Sequence, residues 1–299
     1  MNMLTVRANA KINLYLDVLS RRENGYHNIY SLMQTVSLCD LISVEYRPEE
    51  HTSIQLQGSG NDRMPLDCRN LAWRAAELFL RKVQRKGAVL IRIEKHIPME
   101  AGLAGGSTDA AAVLRALNRL CGSPLSIEEL CELGSKLGAD VPFCIVGGCA
   151  ITEGIGEKLT SNEPLSQCSL VVACMGEGVS TPWAYGVLDQ RYDGFTAHRS
   201  VDAGVHLAKM LEEKASAETL CQSFYNIFEE AVEPERAAVS TLKATMENFG
   251  AIRSMMSGSG PSVFGIFRSE SEASGACERI KQMGGAAFVC RPTVAYSEK

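Results

Sequence analysis

The run Pro98-Met99-Glu100-Ala101-Gly102-Leu103-Ala104-Gly105-Gly106-Ser107-Thr108-Asp109-Ala110 leaves few folds open to this chain. Upstream, Ala88-Val89-Leu90-Ile91-Arg92-Ile93 is apolar and rich in β-branched residues, and it predicts a strand. Downstream, Val113, Leu114, Leu117 and Leu120 recur at helical spacing and predict a helix over Ala110–Leu120. A glycine-rich loop between a strand and a helix start lets backbone N–H groups approach an anion, and the helix end adds unpaired donors and a positive dipole. Ser107 and Thr108 add hydroxyls able to hydrogen-bond phosphate or to ligate Mg²⁺. The competing reading is an ordinary loop capped by Ser107 or Asp109. Spelling excludes two familiar phosphate loops. A Walker A loop needs Lys after its last glycine, where this chain has Ser107, and no G-x-G-x-x-G dinucleotide fingerprint occurs.

At 299 residues the chain holds one large domain or two ordinary ones, and 45% hydrophobic with 22% charged residues is the balance of a globular protein. A net charge of −5 argues against a general nucleic-acid binder. No segment approaches the ~20 apolar residues of a membrane span. The stretch Met1–Arg7 lacks a signal-peptide core, so the expected location is cytoplasmic. The eleven cysteines are odd in number and include no C-x-x-C pair, which predicts free thiols and neither a zinc site nor a disulfide framework.

Along the chain, Leu4–Ala8 and Ala10–Val18 predict strands. Strict alternation in the second places Ile12, Leu14, Leu16 and Val18 on one face and Lys11, Asn13, Tyr15 and Asp17 on the other, with Tyr15 and Asp17 expected in solvent. Asn24-Gly25 is a hairpin signal, followed by Tyr26-His27. Short strands are expected at Ile42–Tyr46 and Ile54–Gln57, and a helix from Leu71 to Lys86. Ser126-Ile127-Glu128-Glu129 is a capping box for a helix running to Gly138. A boundary near Glu163-Pro164 divides the chain into 1–163 and 164–299. The second half predicts strands at Leu170–Cys174, Ile252–Met256, Ser262–Phe267 and Ala287–Arg291. Its expected helices are Val201–Lys214, Glu218–Glu230, Glu235–Phe249 and Glu270–Met283, giving an α+β layer with helices on one face of an antiparallel sheet.

The pattern P-x-x-x-G-L-x-G-G-S-T-x-A-A resembles the phosphate loop of the GHMP kinases. Three further stretches, Ala10-Lys11-Ile12-Asn13-Leu14 with Gly25-Tyr26-His27, Gly138-Ala139-Asp140-Val141-Pro142-Phe143, and Ser257-Gly258-Ser259-Gly260-Pro261-Ser262, resemble the branch that phosphorylates 4-diphosphocytidyl-2-C-methyl-D-erythritol. Pro261 departs from some relatives. The resemblance implies a ribosomal-S5-like N-terminal domain, a ferredoxin-like C-terminal domain and an active site in the cleft between them. It implies transfer of the ATP γ-phosphoryl group to the 2-hydroxyl of the cytidyl substrate in the non-mevalonate isoprenoid pathway, with Mg²⁺.

On this resemblance Lys11 and Asp140 are catalytic, and Pro98, Gly102, Leu103, Ala104, Gly105, Gly106, Ser107 and Thr108 bind the nucleotide. Asn13, Tyr26, His27 and Tyr185 bind the second substrate, Tyr185 being favoured over Trp183 as a second wall for the cytosine. No side chain is assigned to a metal. The expected partners are the cytidine diphosphate-linked methylerythritol, no nucleic acid and no membrane, with the chain a monomer or weak homodimer. The alternatives are another GHMP small-molecule kinase, of homoserine or mevalonate type, a nucleotide sensor without catalysis, and an S5-like RNA-binding module. Intact Lys11 and Asp140 speak against the sensor, and the acidic charge balance speaks against the RNA-binding module.

Overall fold

Strand β1 (Asn2–Arg21) turns through Asn24-Gly25, with Gly25 at φ 84°, into β2 (His27–Pro48), and the two long strands pair antiparallel from end to end. The computed structural model describes residues 2–165, 168–192 and 201–296. The two strands predicted before residue 19 are one strand, bent by register shifts at Asn9/Lys11, Asn13/Tyr15 and Val18/Ser20. Those bulges alter the alternation, because each extra residue re-aims the side chains that follow it. Leu14 and Tyr15 are both fully buried in consequence, and Asp17 is 1% exposed with its carboxylate accepting the Val18 N–H at 2.9 Å. The solvated face expected for Tyr15 and Asp17 is therefore a covered one: Tyr15 packs against Tyr30 and Tyr225.

The remaining elements of the first half are β3 (Ser53–Ser59), α1 (Leu71–Lys82), β4 (Gly87–Glu94), α2 (Gly105–Leu120), α3 (Ile127–Ser135), α4 (Val141–Val146), β5 (Cys149–Gly154) and β6 (Lys158–Asn162). β4 pairs with the Leu41–Pro48 end of β2 and β5 with its Ile29–Gln34 end. Helices α1 to α4 bury Phe79, Leu114, Leu117, Leu133, Phe143 and their neighbours against one face of this sheet. The apolar run Cys144-Ile145-Val146 completes the short helix α4, begun by Pro142.

The second half contributes β7 (Ser169–Cys174), α5 (Thr181–Arg191), α6 (Val201–Glu212), α7 (Ala217–Cys221), β8 (Tyr225–Asn226), α8 (Phe228–Val232), α9 (Ala237–Asn248), β9 (Arg253–Met256), β10 (Val263–Phe267), α10 (Glu270–Gln282) and β11 (Ala286–Cys290). The order β11-β7-β10-β9, antiparallel throughout, is that of a split βαβ ferredoxin-like sheet. Leu170, Val172, Phe264 and Ile266 face the first sheet, while Val171, Ala173, Val263 and Phe267 face α9 and α10. Burial on both faces explains why these strands read as unbroken apolar runs.

One expected helix is broken and one helix is added. The stretch Glu218–Glu230 is broken into α7, β8 and α8, because β8 leaves the helical layer to pair with Tyr15-Leu16 of β1. Thr181–Arg191, for which no helix was expected, is a helix with Pro182 in its first turn.

All eleven cysteines are free thiols and only Cys68 is exposed. Burial pushes Cys149, Cys168, Cys221 and Cys290 up to about 12 and Cys131 up to about 11. Titration with a thiol reagent at neutral pH should count about one fast thiol in the native protein and close to the eleven of the sequence in denaturant. A denatured count of nine or fewer would reveal a disulfide.

Candidate active site

The glycine turn begins where β4 ends, and its backbone conformation is set by alternating left-handed residues: Glu100 at φ 53°, Gly102 at φ 75° and Ala104 at φ 58°. Four consecutive carbonyls of this turn are held by the rest of the protein. The Glu100 oxygen accepts from Val179 N–H (3.3 Å), Ala101 from Ser262 N–H (3.3 Å), Gly102 from Ser257 Oγ (3.1 Å) and Leu103 from Lys11 N–H (3.2 Å). Helix α2 then starts at Gly105, five residues earlier than apolar spacing predicts, because the glycines form its first turn instead of a separate loop. Its N-cap Ala104 offers no side-chain hydrogen bond, so neither Ser107 nor Asp109 caps it. The first-turn N–H groups and the positive end of a 16-residue helix are thereby left for a ligand.

A cavity of about 950 Å³ opens above this turn. Lys11, Asn13, Pro98, Gly102 to Ser107, Asp140, Tyr185 and Gly258 line it. Lys11 is only 4% exposed; its ammonium donates to Asn13 Oδ1 at 2.7 Å. Asn13 Nδ2 donates to Ser31 Oγ (2.8 Å), which donates to the Tyr15 carbonyl (2.6 Å), and this chain fixes which end of the amide meets Lys11. Among the described residues no carboxylate lies within ion-pair distance of Lys11. A buried ammonium served by one neutral acceptor is costly unless an anion completes it, so the surface ion pair that would make Lys11 ordinary is absent among those residues. Asp140 sits at the start of α4 without capping it and faces the same cavity.

At one end of the cavity Tyr26, 60% exposed, forms the rim. His27 is buried, stacked on Tyr185 with ring centroids 4.5 Å apart, its Nε2 2.7 Å from Asp189 Oδ1. Tyr185 rests edge-on against Phe228 at 4.9 Å, and burial pushes its hydroxyl well above the usual tyrosine range. Trp183 is turned out of the cavity, with the Arg236 guanidinium 5.5 Å from its ring. Beside the glycine turn Met64, Pro65 and Leu71 form an apolar border.

The family model for the GHMP kinase N-terminal domain matches residues 70–148, and that for the C-terminal domain matches residues 207–286. A 4-diphosphocytidyl-2-C-methyl-D-erythritol kinase of Caldicellulosiruptor saccharolyticus is 43% identical over 278 residues, 93% of each chain. The chain belongs to this kinase family. A crystal structure of 4-(cytidine 5'-diphospho)-2C-methyl-D-erythritol kinase superposes with a TM-score of 0.78 at 32% identity, over 97% of this chain and 99% of that one. The homoserine kinase of Cytophaga hutchinsonii reaches a TM-score of 0.74 at 17% identity, over 99% of this chain and 96% of that one, a likeness of fold alone.

Against this kinase fold, the residues expected from the sequence sort clearly. Lys11, Asn13, Pro98, Gly102, Leu103, Ala104, Gly105, Gly106, Ser107, Asp140, Tyr26, His27 and Tyr185 share the one cavity. Thr108 does not: it is fully buried and its hydroxyl donates to the Asn9 carbonyl at 2.8 Å, bracing α2 on β1 instead of meeting phosphate. Lys11 lies on a buried face, not a solvated one. His27 itself covers a face of Tyr185, so the two aromatic walls expected around a base are not an open slot. Sequence reasoning missed Asp189, which lies in the unread helix α5, and the cluster of Lys95, Asp40 and Asp109 under the glycine turn, for which no motif exists.

In that cluster Lys95 Nζ donates to Asp40 Oδ2 at 2.6 Å and to Asp109 Oδ2 at 2.8 Å, with all three side chains almost wholly buried. Burial works against the Lys95 ammonium, but the two carboxylates outweigh it and hold it above its ordinary value. Asp40 Oδ1 also accepts the N–H groups of His96 (2.6 Å) and Ile97 (2.8 Å), which ties β2 to the segment entering the glycine turn. Asp40→Asn should cost about 3 kcal/mol in urea denaturation, the scale of breaking a buried charge pair. A loss below about 1 kcal/mol would make the cluster incidental to the fold.

The glycines divide in the same way. A Cβ on Gly102 would lie 2.1 Å from the Ser257 carbonyl at a left-handed φ, whereas one on Gly106 would meet only Leu71, at 3.7 Å. Gly102→Ala should lower Tm clearly, by about 2–4 kcal/mol of stability, while Gly106→Val leaves it within a few degrees. Equal losses at both positions would contradict this arrangement.

Proposed function

We propose that this chain transfers the γ-phosphoryl group of ATP to the 2-hydroxyl of 4-diphosphocytidyl-2-C-methyl-D-erythritol, releasing ADP and the 2-phosphate, in the non-mevalonate isoprenoid pathway of the cytoplasm. The observation that carries this reading is a convergence. An uncapped helix start, a buried ammonium with no counter-anion among the described residues, the Asp140 carboxylate and a stacked His–Tyr pair line one cavity between two sheets. We take residues 1–163 and 164–299 as the two halves that form it.

Phosphoryl transfer asks a protein mainly to hold two oxygens in line and to stabilise equatorial charge. The Gly105, Gly106 and Ser107 backbone and the Ser107 hydroxyl hold the phosphates, and the purine rests on Met64, Pro65 and Leu71. Lys11 meets the charge that its buried ammonium otherwise lacks, on the transferred group or the attacking oxygen. Asp140 accepts or orients the hydroxyl proton. Tyr26, His27 and Tyr185 hold the cytosine, with the Asp189 carboxylate 2.7 Å from His27 Nε2 fixing the orientation of that ring. Mg²⁺ supplies further neutralisation of the triphosphate. Among the described residues no group of three or more His, Cys, Asp or Glu could hold a metal ion. No helix among those residues is long and apolar enough to cross a membrane.

An ADP-release assay with the cytidyl substrate beside homoserine and mevalonate tests the reading, and turnover confined to the cytidyl substrate is the expected result. Preference for either competitor would overturn it. Asp140→Asn and Lys11→Met should each lower kcat by at least ~10²-fold with the fold retained, methionine being chosen because Lys11 is buried. Near-normal turnover in either removes that residue from the mechanism. His27→Ala and Tyr185→Ala should raise KM for the cytidyl substrate at least ~10-fold and leave KM for ATP within about twofold. The opposite split would put this pair on the ATP side.

A further inference from the structure

The mechanism above leaves the buried cluster of Lys95, Asp40 and Asp109 unused, yet it lies directly under the turn that meets phosphate. A Cβ on Gly105 would stand 3.0 Å from Lys95 Nζ, and both Lys95 and Asp109 reach the cavity wall. The cluster holds one ammonium and two carboxylates, a net negative charge beneath a site built for a polyanion. Such a charge opposes nucleotide binding unless something neutralises it.

The two carboxylates are not equivalent. Asp40 accepts three hydrogen bonds, from Lys95 and from the His96 and Ile97 N–H groups. Asp109 accepts one, from Lys95, and its buried Oδ1 has no partner among the described residues. Hydrogen bonds to a carboxylate favour its charged form, so the sparsely bonded Asp109 is the carboxylate of this cluster suited to take a proton. Burial, with a smaller contribution from Asp40 and against the pull of Lys95, pushes Asp109 up to about 7.

Lys95, just after β4, and Asp40, in β2, are the charged groups that face Asp109. Lys11 of β1, Asp140, and Arg115 further along α2 are instead the charged groups that act on Cys144 of α4. The α1 face packed here is apolar, with Ala72, Ala75, Ala76 and Phe79.

We propose that Asp109 is a nucleotide-binding group that works in its protonated form: when the triphosphate settles on the glycine turn, Asp109 takes one proton from solvent and the cluster beneath becomes neutral. The carboxylate gains the proton, a buffer acid gives it up, and no other bond changes. This inference rests on the reading of the turn as the ATP site.

Titration calorimetry of the intact protein with a non-hydrolysable ATP analogue and Mg²⁺ tests it. The titration is run at about pH 8 in two buffers of different ionisation enthalpy, where the magnesium-bound analogue is itself deprotonated. The dependence of the heat on buffer counts the protons taken up. The wild type should take up more than about half a proton per nucleotide, and its Kd should rise with pH above about 7 by up to ~10-fold per unit. Asp109→Asn, neutral already, should take up none and bind with a Kd flat in pH. Binding by the wild type without proton uptake would overturn the inference and leave the ATP reading intact, and so would uptake that persists in Asp109→Asn. Absence of nucleotide binding by the wild type would sink the ATP reading, and this inference with it. Should Asp109→Asn fail to fold, the wild-type proton count still decides.

Discussion

The cleft depends on four carbonyl oxygens being turned away from it. Glu100, Ala101, Gly102 and Leu103 each give their carbonyl to a donor elsewhere in the protein, two of these donors lying on the Ser257–Ser262 loop and one on β1. A peptide unit that turns its oxygen toward protein turns its N–H the other way. The side of the turn facing the cavity therefore presents donors and not acceptors, which is what an anion requires. The helix dipole of α2 reinforces the choice without creating it, since a capped helix of the same length would offer fewer donors.

Magnitudes show why this turn needs both halves of the chain. Holding Glu100 and Ala104 in the left-handed region costs roughly 1–2 kcal/mol each. Each carbonyl bond returns about 0.5–1.5 kcal/mol. Four bonds offset two strained residues with little to spare, and three of the four donors, Val179, Ser257 and Ser262, come from the second half. Asn226 extends the same connection, donating to the carbonyls of Met256 (2.8 Å) and Gly258 (2.9 Å) from the short strand β8 that joins the first sheet. The glycine turn thus takes its shape only where the two sheets meet, and a site at that junction follows from the balance.

How much of this the sequence discloses depends on whether a local rule governs. The glycine turn, the Asn24-Gly25 hairpin, the Ser126 capping box and the apolar strands of the second sheet obey short-range rules and were legible from spacing alone. The burial of Tyr15 and Asp17 was not, because bulges in β1 re-aim side chains and no residue type announces them. Helix α5 hid behind Pro182, a residue that breaks a helix interior but suits its first turn. Glu218–Glu230 has helical composition, and only the distant edge of β1 explains why two residues of it become a strand. Lys95, Asp40 and Asp109 are far apart in sequence and of common types, so nothing short of the fold brings them together.

Strand β1 sets the distances on which catalysis would turn. Lys11 is fixed twice, its N–H on the Leu103 carbonyl and its ammonium on Asn13, while the Asn9 carbonyl two residues earlier takes the Thr108 hydroxyl from α2, whose first turn lines the cavity. The ammonium and the helix start are therefore both tied to one strand, on either side of its register shift at Asn9/Lys11. Effective molarity in phosphoryl transfer falls steeply when reacting groups drift by an ångström, so a frame of this kind is worth more than any single contact it contains. It also accounts for Thr108: its hydroxyl braces the helix on β1 and so fixes the position of Gly105 and Gly106, which a hydroxyl aimed into the cavity would not do.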